Sequence, residues 1–122
     1  MKFYYNGQLI RTSKTHHYTH ACISIKDGKI VCQGCSSTRV GAEKVKNDAV
    51  TRIENAVFSY RARIEAMKAG KNGYYNRRHE WISLKSLGKW TVEDVEGFLE
   101  SDLATLERIK KEWIIVEIEE RA

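Results

Sequence analysis

Residues 21–32 read ACISIKDGKIVC, and the way this stretch turns decides the fold. Asp27-Gly28 lies between two apolar-rich runs, which suits a two-residue type I′ turn because both central residues need positive φ. With that turn, Ile25 faces Ile30 and Ile23 faces Cys32 on one side of a sheet, while Ser24 faces Val31 on the other. The first side reads as the core face, with Cys32 on it. Upstream, YYNGQLIR (4–11) repeats the device with Asn6-Gly7, so residues 1–36 read as two antiparallel hairpins.

Downstream, SSTRVGAEKV (36–45 of the chain read from Ser36) opens a helix, with Ser37 or Thr38 as its N-cap. Val50, Ile53, Val57, Tyr60, Ile64 and Met67 recur at alternating spacings of three and four, which is a heptad seam. The helix is expected from about Thr38 to about Ala69, roughly 45 Å at 1.5 Å per residue. A small domain does not cover that length alone, so the second helical region or another subunit must lie along the seam. Gly70 to Gly73 ends the helix. A short strand over 80–84 follows the next stretch, and Thr91 with Asp94 opens a second helix as a capping arrangement. Gly97 and Ser101-Asp102 are candidate breaks in it. WIIVEIEE (113–120) reads as a final strand, with the end of the helix as the alternative. The whole is one α+β domain over 1–122: an N-terminal antiparallel sheet of hairpins over 1–36, one long helix over 37–70, and over 71–122 an Arg/aromatic loop, a second helical region and a tail.

At 122 residues, 42% hydrophobic and 30% charged, the chain has the composition of a globular protein with one core. No apolar run approaches the roughly 20 residues that span a membrane, and MKFYYNGQLI lacks the pattern of a secretory signal. A cytoplasmic protein is expected. The net charge of +5 suggests an anionic partner: nucleic acid, nucleotide or an acidic protein surface. Basic excess lies in residues 1–79 and acids predominate from Glu93 onward, so that partner should meet the first two-thirds of the chain or the join between the halves.

Cys22, Cys32 and Cys35 are an odd number, which argues against a disulfide framework. CQGC and HHYTH raise zinc, but a structural site needs four converging ligands. Cys32 is expected in the core, Cys22 on the opposite face, and no second cysteine pair exists. Redox chemistry through Cys32 and Cys35 lacks the strand-then-helix setting of such motifs. His16, His17 and His20 beside Thr12, Ser13 and Lys14 supply acid-base pieces, yet residues 1–42 hold a single carboxylate, Asp27, and that is used in a turn. No catalytic set is legible.

GYYNRRHEW (73–81) is different. A nucleotide site needs flat partners for the base, guanidinium forks for phosphate and amides or hydroxyls for sugar. Tyr74 and Tyr75 offer planes, Arg77 and Arg78 forks, Asn76 an amide and His79 a further donor. Arg61 and Arg63, on the preceding helix, are expected to converge on them from the side. The plain alternative is a solvent loop whose aromatic residues anchor it to the helix. Arg11, Ser13, Lys14 and His17 in RTSKTHH form a second candidate anion site.

Together, FYYNGQLIRTSKTHHYTHACI (3–23), the long helix and YYNRRHEW (74–81) resemble the phage Thoeris anti-defence family. Its members are sponges that sequester cyclic ADP-ribose-type immune signals without cleaving them. The resemblance implies a sheet-plus-two-helix subunit that dimerises through its helices and forms larger assemblies, with ligand pockets at the dimer interface. It also implies no enzymatic activity, no cofactor, and action in the cytoplasm of the infected bacterial host. Arg77 and Arg78 would clamp the pyrophosphate, Tyr74 or Tyr75 would stack on adenine, and Asn76 and His79 would hold ribose hydroxyls. Family members are also linked to cyclic oligonucleotides, for which the RTSKTHH stretch is the candidate second site. The alternative is a basic protein- or nucleic-acid-binding inhibitor such as an anti-CRISPR, and an enzyme that degrades a nucleotide signal is a third option.

Overall fold

Asn6 and Gly7 take φ of 48° and 78°, and Asp27 and Gly28 take 52° and 75°, so both expected I′ turns form. In the computed structural model, which describes all of residues 1–122, these turns join β1 (Lys2–Tyr5) to β2 (Gln8–Thr12) and β3 (His20–Lys26) to β4 (Lys29–Ser36). The chain continues through α1 (Arg39–Lys68), β5 (Gly73–Tyr75), β6 (Trp81–Ser83), a 3-10 turn (Leu84–Leu87), α2 (Val92–Glu112), β7 (Ile114–Glu117) and β8 (Glu119–Arg121). The fold class is α+β, with antiparallel sheets, a long helix, a second helix and C-terminal strands. By their contacts the residues fall into two compact units, Met1–Ala49 with Arg108–Ala122 and Val50–Glu107.

The first unit holds two three-stranded sheets, ordered β2-β1-β8 and β4-β3-β7. The C-terminal segment is strand, as its alternation suggested, and it serves both sheets. Ile114–Glu117 pairs with β3, the Ile118 N–H donates to the Thr19 carbonyl at 3.0 Å, and Glu119–Arg121 pairs with β1. Gln8 ties the sheets together: its Nε2 donates to the Ile30 carbonyl at 2.9 Å and its Oε1 accepts the Ile30 N–H at 3.3 Å. One side chain thus reproduces a ladder rung where no strand pairing exists.

The β3–β4 register is the expected one near the turn, with Ile23 opposite Cys32, Ser24 opposite Val31 and Ile25 opposite Ile30. The expected core face, however, ends early. Ile25 is 58% exposed and Cys32 only half-buried, and β7 pairs with β3 no further than Ile23. Behind Ile23 the ladder slips: Cys22 faces Gly34, so Gln33 is the extra residue of a β-bulge. Ala21, Cys22 and Ile23 are all fully buried, which requires cover on both faces of β3. α1 lies against one face, so closely that a Cβ on Gly34 would fall 2.9 Å from Val45 Cγ2. Lys46 of α1 donates to the carbonyls of Lys110 (3.1 Å) and Trp113 (2.8 Å), satisfying the open C-terminal end of α2.

Thr38 is the N-cap of α1, its Oγ1 accepting the Gly41 N–H at 2.9 Å. The second helix opens with a reciprocal capping box: Asp94 Oδ2 accepts the Thr91 N–H at 3.0 Å and Thr91 Oγ1 accepts the Asp94 N–H at 3.1 Å. It then runs unbroken through Gly97 and Ser101-Asp102, so neither divides it. A glycine in a helix interior costs only about 1 kcal/mol against alanine, which packing overrides. On α1 the most buried line is Ala42, Ala49, Val57, Arg63 and Ala66. Of the expected seam only Val57 is buried; Ile53, Tyr60, Ile64 and Met67 stay half-exposed.

Candidate ligand-binding site

The second unit carries the aromatic and cationic stretch, which is a hairpin where a loop was expected. α1 stops in a Schellman arrangement: Gly70 takes φ 68°, its N–H donates to the Met67 carbonyl at 3.3 Å, and the Lys71 N–H donates to the Ala66 carbonyl at 2.9 Å. The chain then reverses, and Gly73, Tyr74 and Tyr75 pair with Ser83, Ile82 and Trp81. Position 73 admits only glycine, since a Cβ there would overlap the Ile82 carbonyl and lie 2.7 Å from the Trp81 ring.

The tip, residues 76–80, is organised by Asn76. Its Oδ1 accepts the N–H groups of Arg78 and Glu80, both at 2.9 Å, its own N–H donates to the Glu80 carbonyl at 3.0 Å, and its Nδ2 donates to Glu80 Oε1 at 3.3 Å. Asn76 is therefore engaged within the turn, as asparagine side chains at turns commonly are. His79 sits at φ 61°, a left-handed position, with its side chain exposed.

Around this hairpin three open grooves gather most of the expected residues. Arg61 and Arg77 line one of about 590 Å³ with Phe58, Leu103 and Leu106, and with Glu54 and Glu65. Asn76, Arg77 and Arg78 line a smaller one of about 190 Å³ with Asn55, Ser59 and Glu80, where Arg77 Nη1 donates to Asn55 Oδ1 at 3.2 Å. Tyr74, Tyr75 and Trp81 line a third of about 580 Å³ against the end of α1, with the Tyr75 and Trp81 rings edge-to-face at 5.1 Å. His79 lines none of these three.

Arg63 parts company with Arg61. Two residues apart on a helix, they lie on opposite faces. Arg63 is only 4% exposed, its guanidinium stands 4.9 Å over the Trp90 ring, and its Nε has no hydrogen-bond partner. No carboxylate pairs with it. Tyr74 is its neighbour: burial raises the phenol pKa, and the Arg63 charge opposes that rise. Trp90 in turn meets Phe98 edge-to-face at 4.8 Å, and Phe98 meets Tyr60 at 6.0 Å. Sequence reading passed over Trp90, although a large apolar residue just before a helix N-cap is a known packing device.

The second candidate anion site is not gathered. Arg11 turns to the cysteines, with Nη2 3.9 Å from Cys32 Sγ. Ser13 Oγ accepts the His16 N–H at 3.0 Å, and His17 Nδ1 lies 3.0 Å from a Glu120 carboxylate that β8 brings alongside. Lys14 is exposed. Pairing of the tail with β1 places acidic residues beside this stretch, and Arg11, Ser13 and His17 take separate partners while Lys14 takes none.

Comparison of the chain with protein-family models, with curated proteins and with solved structures finds no match in any of the three. No helix is long and apolar enough to cross a membrane.

Proposed function

We propose that the protein is a non-catalytic binder that sequesters a cyclic nucleotide signal of the cyclic ADP-ribose type, acting in the cytoplasm of an infected bacterium. The observation that carries the reading is Arg63: a guanidinium buried among Trp90 and Tyr74 with an unpartnered Nε and no acidic partner. Charged groups are rarely buried without compensation, and a pyrophosphate entering from outside would supply it. Arg61, Arg77 and Arg78 form no ion pairs either, and exposed Tyr75, Trp81 and Trp90 offer faces for an adenine ring. Asn76 supports this reading by shaping the tip rather than by meeting ribose.

The working form is a homodimer or higher homo-oligomer. The half-exposed seam of α1 and the 45% exposed Phe58 leave apolar surface for a second copy.

A thermal-shift panel tests the reading with cyclic ADP-ribose isomers, cyclic oligonucleotides, ADP-ribose, NAD and a short DNA duplex. Ligand at about 100 times its dissociation constant adds about 2.7 kcal/mol, a shift of several degrees. A shift with a cyclic nucleotide that mass spectrometry recovers intact supports sequestration, and recovery of a cleaved product makes the protein an enzyme. Binding of the duplex alone, falling steeply with salt, moves the function to a nucleic-acid-binding inhibitor.

A further inference from the structure

Cys32 and Cys35 are three residues apart on β4, a spacing that sends side chains to opposite faces of a regular strand. The bulge at Gln33 adds one residue between them and reverses that outcome. Their Sγ atoms lie 3.5 Å apart, both half-buried and on the side of the sheet where Arg11 of β2 reaches Cys32 Sγ at 3.9 Å. Arg11 also lies 5.9 Å from the Tyr18 ring centroid. We propose that Cys32 and Cys35 are a reversible dithiol–disulfide pair, with Cys32 the attacking sulfur, Cys35 the resolving one, and a low-molecular-weight disulfide the oxidant.

The electrostatics assign the roles. Arg11 touches Cys32 Sγ, which favours the thiolate there and leaves the Cys35 S–H as the donor of the pair. The shared proton and then the Arg11 guanidinium hold Cys32 down to about 6, and the same shared proton pushes Cys35 far up. On the opposite face of β3, Cys22 is fully buried and pushed up by that burial, with Lys46 of α1 opposing. Cys22 is thus the inert thiol of the three. The Cys32 thiolate attacks one sulfur of the small disulfide RSSR, forming a mixed disulfide and releasing RS⁻. Cys35, giving its proton to the RS⁻ just released, then attacks Cys32 Sγ as the thiolate. The Cys32–SR bond breaks and the second RS⁻ leaves, taking its proton from the water that received the Cys32 proton. The protons of the two protein thiols end on the two RSH molecules formed. Closing 3.5 Å to a bonded distance of about 2.05 Å asks for side-chain rotation and a small backbone adjustment.

The test equilibrates the full chain in mixtures of oxidised and reduced glutathione, quenches with iodoacetamide and maps the modified peptides by mass spectrometry. As oxidised glutathione is raised, Cys32 and Cys35 should lose alkylation together through an internal disulfide while Cys22 stays reduced. In Cys35→Ser, glutathione should be trapped on Cys32. In Cys32→Ser, which also removes the main cause of the raised Cys35 pKa, trapping on Cys35 should be slower, because burial still opposes its thiolate and Arg11 makes its direct contact with position 32. A wild-type protein that stays fully reduced with oxidised glutathione in about tenfold excess overturns the proposal. So does a disulfide involving Cys22, or equal trapping on Cys32 and Cys35 in the two variants.

Discussion

Replacing Arg63 by methionine should stabilise the ligand-free protein while destroying its response to ligand. The wild-type side chain is 4% exposed with an unpartnered Nε, and a buried unsatisfied polar group costs about 1–3 kcal/mol, more when charged. Packing of the guanidinium on Trp90 at 4.9 Å returns up to about 2 kcal/mol. Methionine keeps an unbranched stem of similar reach, adds a sulfur–aromatic contact of about 0.3–1.5 kcal/mol, and buries no charge. The expected balance is a gain of about 1–2 kcal/mol. Urea unfolding followed by far-UV circular dichroism reads it directly, and the melting temperature should rise by about 4 °C per kcal/mol for a chain of this size. In the same variant the shift produced by cyclic ADP-ribose should disappear. A loss of stability beyond about 1 kcal/mol would refute the reasoning, because Arg63 would then be an anchor whose stacking holds the second unit together. A retained ligand shift would sever Arg63 from binding even if stability rose.

Three further outcomes are expected. Asn76→Ala removes the acceptor of two backbone N–H groups and should destabilise the hairpin by about 1–2 kcal/mol. Hydrogen exchange should show the Arg78 and Glu80 amides losing protection while the α1 amides keep theirs. The pH dependence of alkylation by iodoacetamide should place Cys32 near 6, with Cys35→Ala raising that midpoint further than Arg11→Gln, since the Cys35 S–H is the larger cause. At pH 5.5 an ordinary thiol is only about 0.1% thiolate. A thiol near 6 is about a quarter ionised, and its weaker nucleophilicity takes back roughly tenfold, so Cys32 should react roughly 20 times faster than a free cysteine. The folded Cys32 value lies below the unfolded one, so its contribution to stability is present above about 9.0 and lost as pH falls through about 6. The raised Cys35 acts oppositely, contributing below 9.0 and losing that contribution as pH rises beyond it. The pair's net contribution therefore peaks near pH 9.0 in the reduced protein.

Turn and capping chemistry was readable at several points. Asn6-Gly7 and Asp27-Gly28 specify their turns, Thr38 caps α1, Gly70 stops it, and Thr91 with Asp94 opens α2, all as their residue types require. Features that depend on a partner distant in sequence were not. Nothing in CQGC announces a bulge, and on a regular strand a spacing of three separates side chains to opposite faces, so the contact of Cys32 with Cys35 was not legible. Nothing in QLIR says that the Gln8 amide will clamp Ile30, nor in the tail that it will divide between two sheets. In the candidate site the residue types of GYYNRRHEW were visible, but their roles depend on the hairpin. It commits Asn76 to the turn and aims Arg77 at Asn55. Arg63 was expected to converge with Arg61, although a spacing of two already sets them on different faces of α1, and only the packing of Trp90 reveals it as buried.

The division of the tail between two sheets also sets an order of assembly during synthesis. β7 and β8 follow residues 50–107 in the chain, yet β7 pairs with β3 and β8 with β1. The ribosome must therefore make the whole of the second unit before either sheet of the first can gain its third strand. Residues 50–107 are contiguous and can gather their contacts as they emerge, whereas β1 and β3 wait with open edges. A nascent chain stalled near residue 107 would expose those edges to neighbouring chains. On the ribosome the hairpin bearing Arg77 and Arg78 is thus complete before the sheets are.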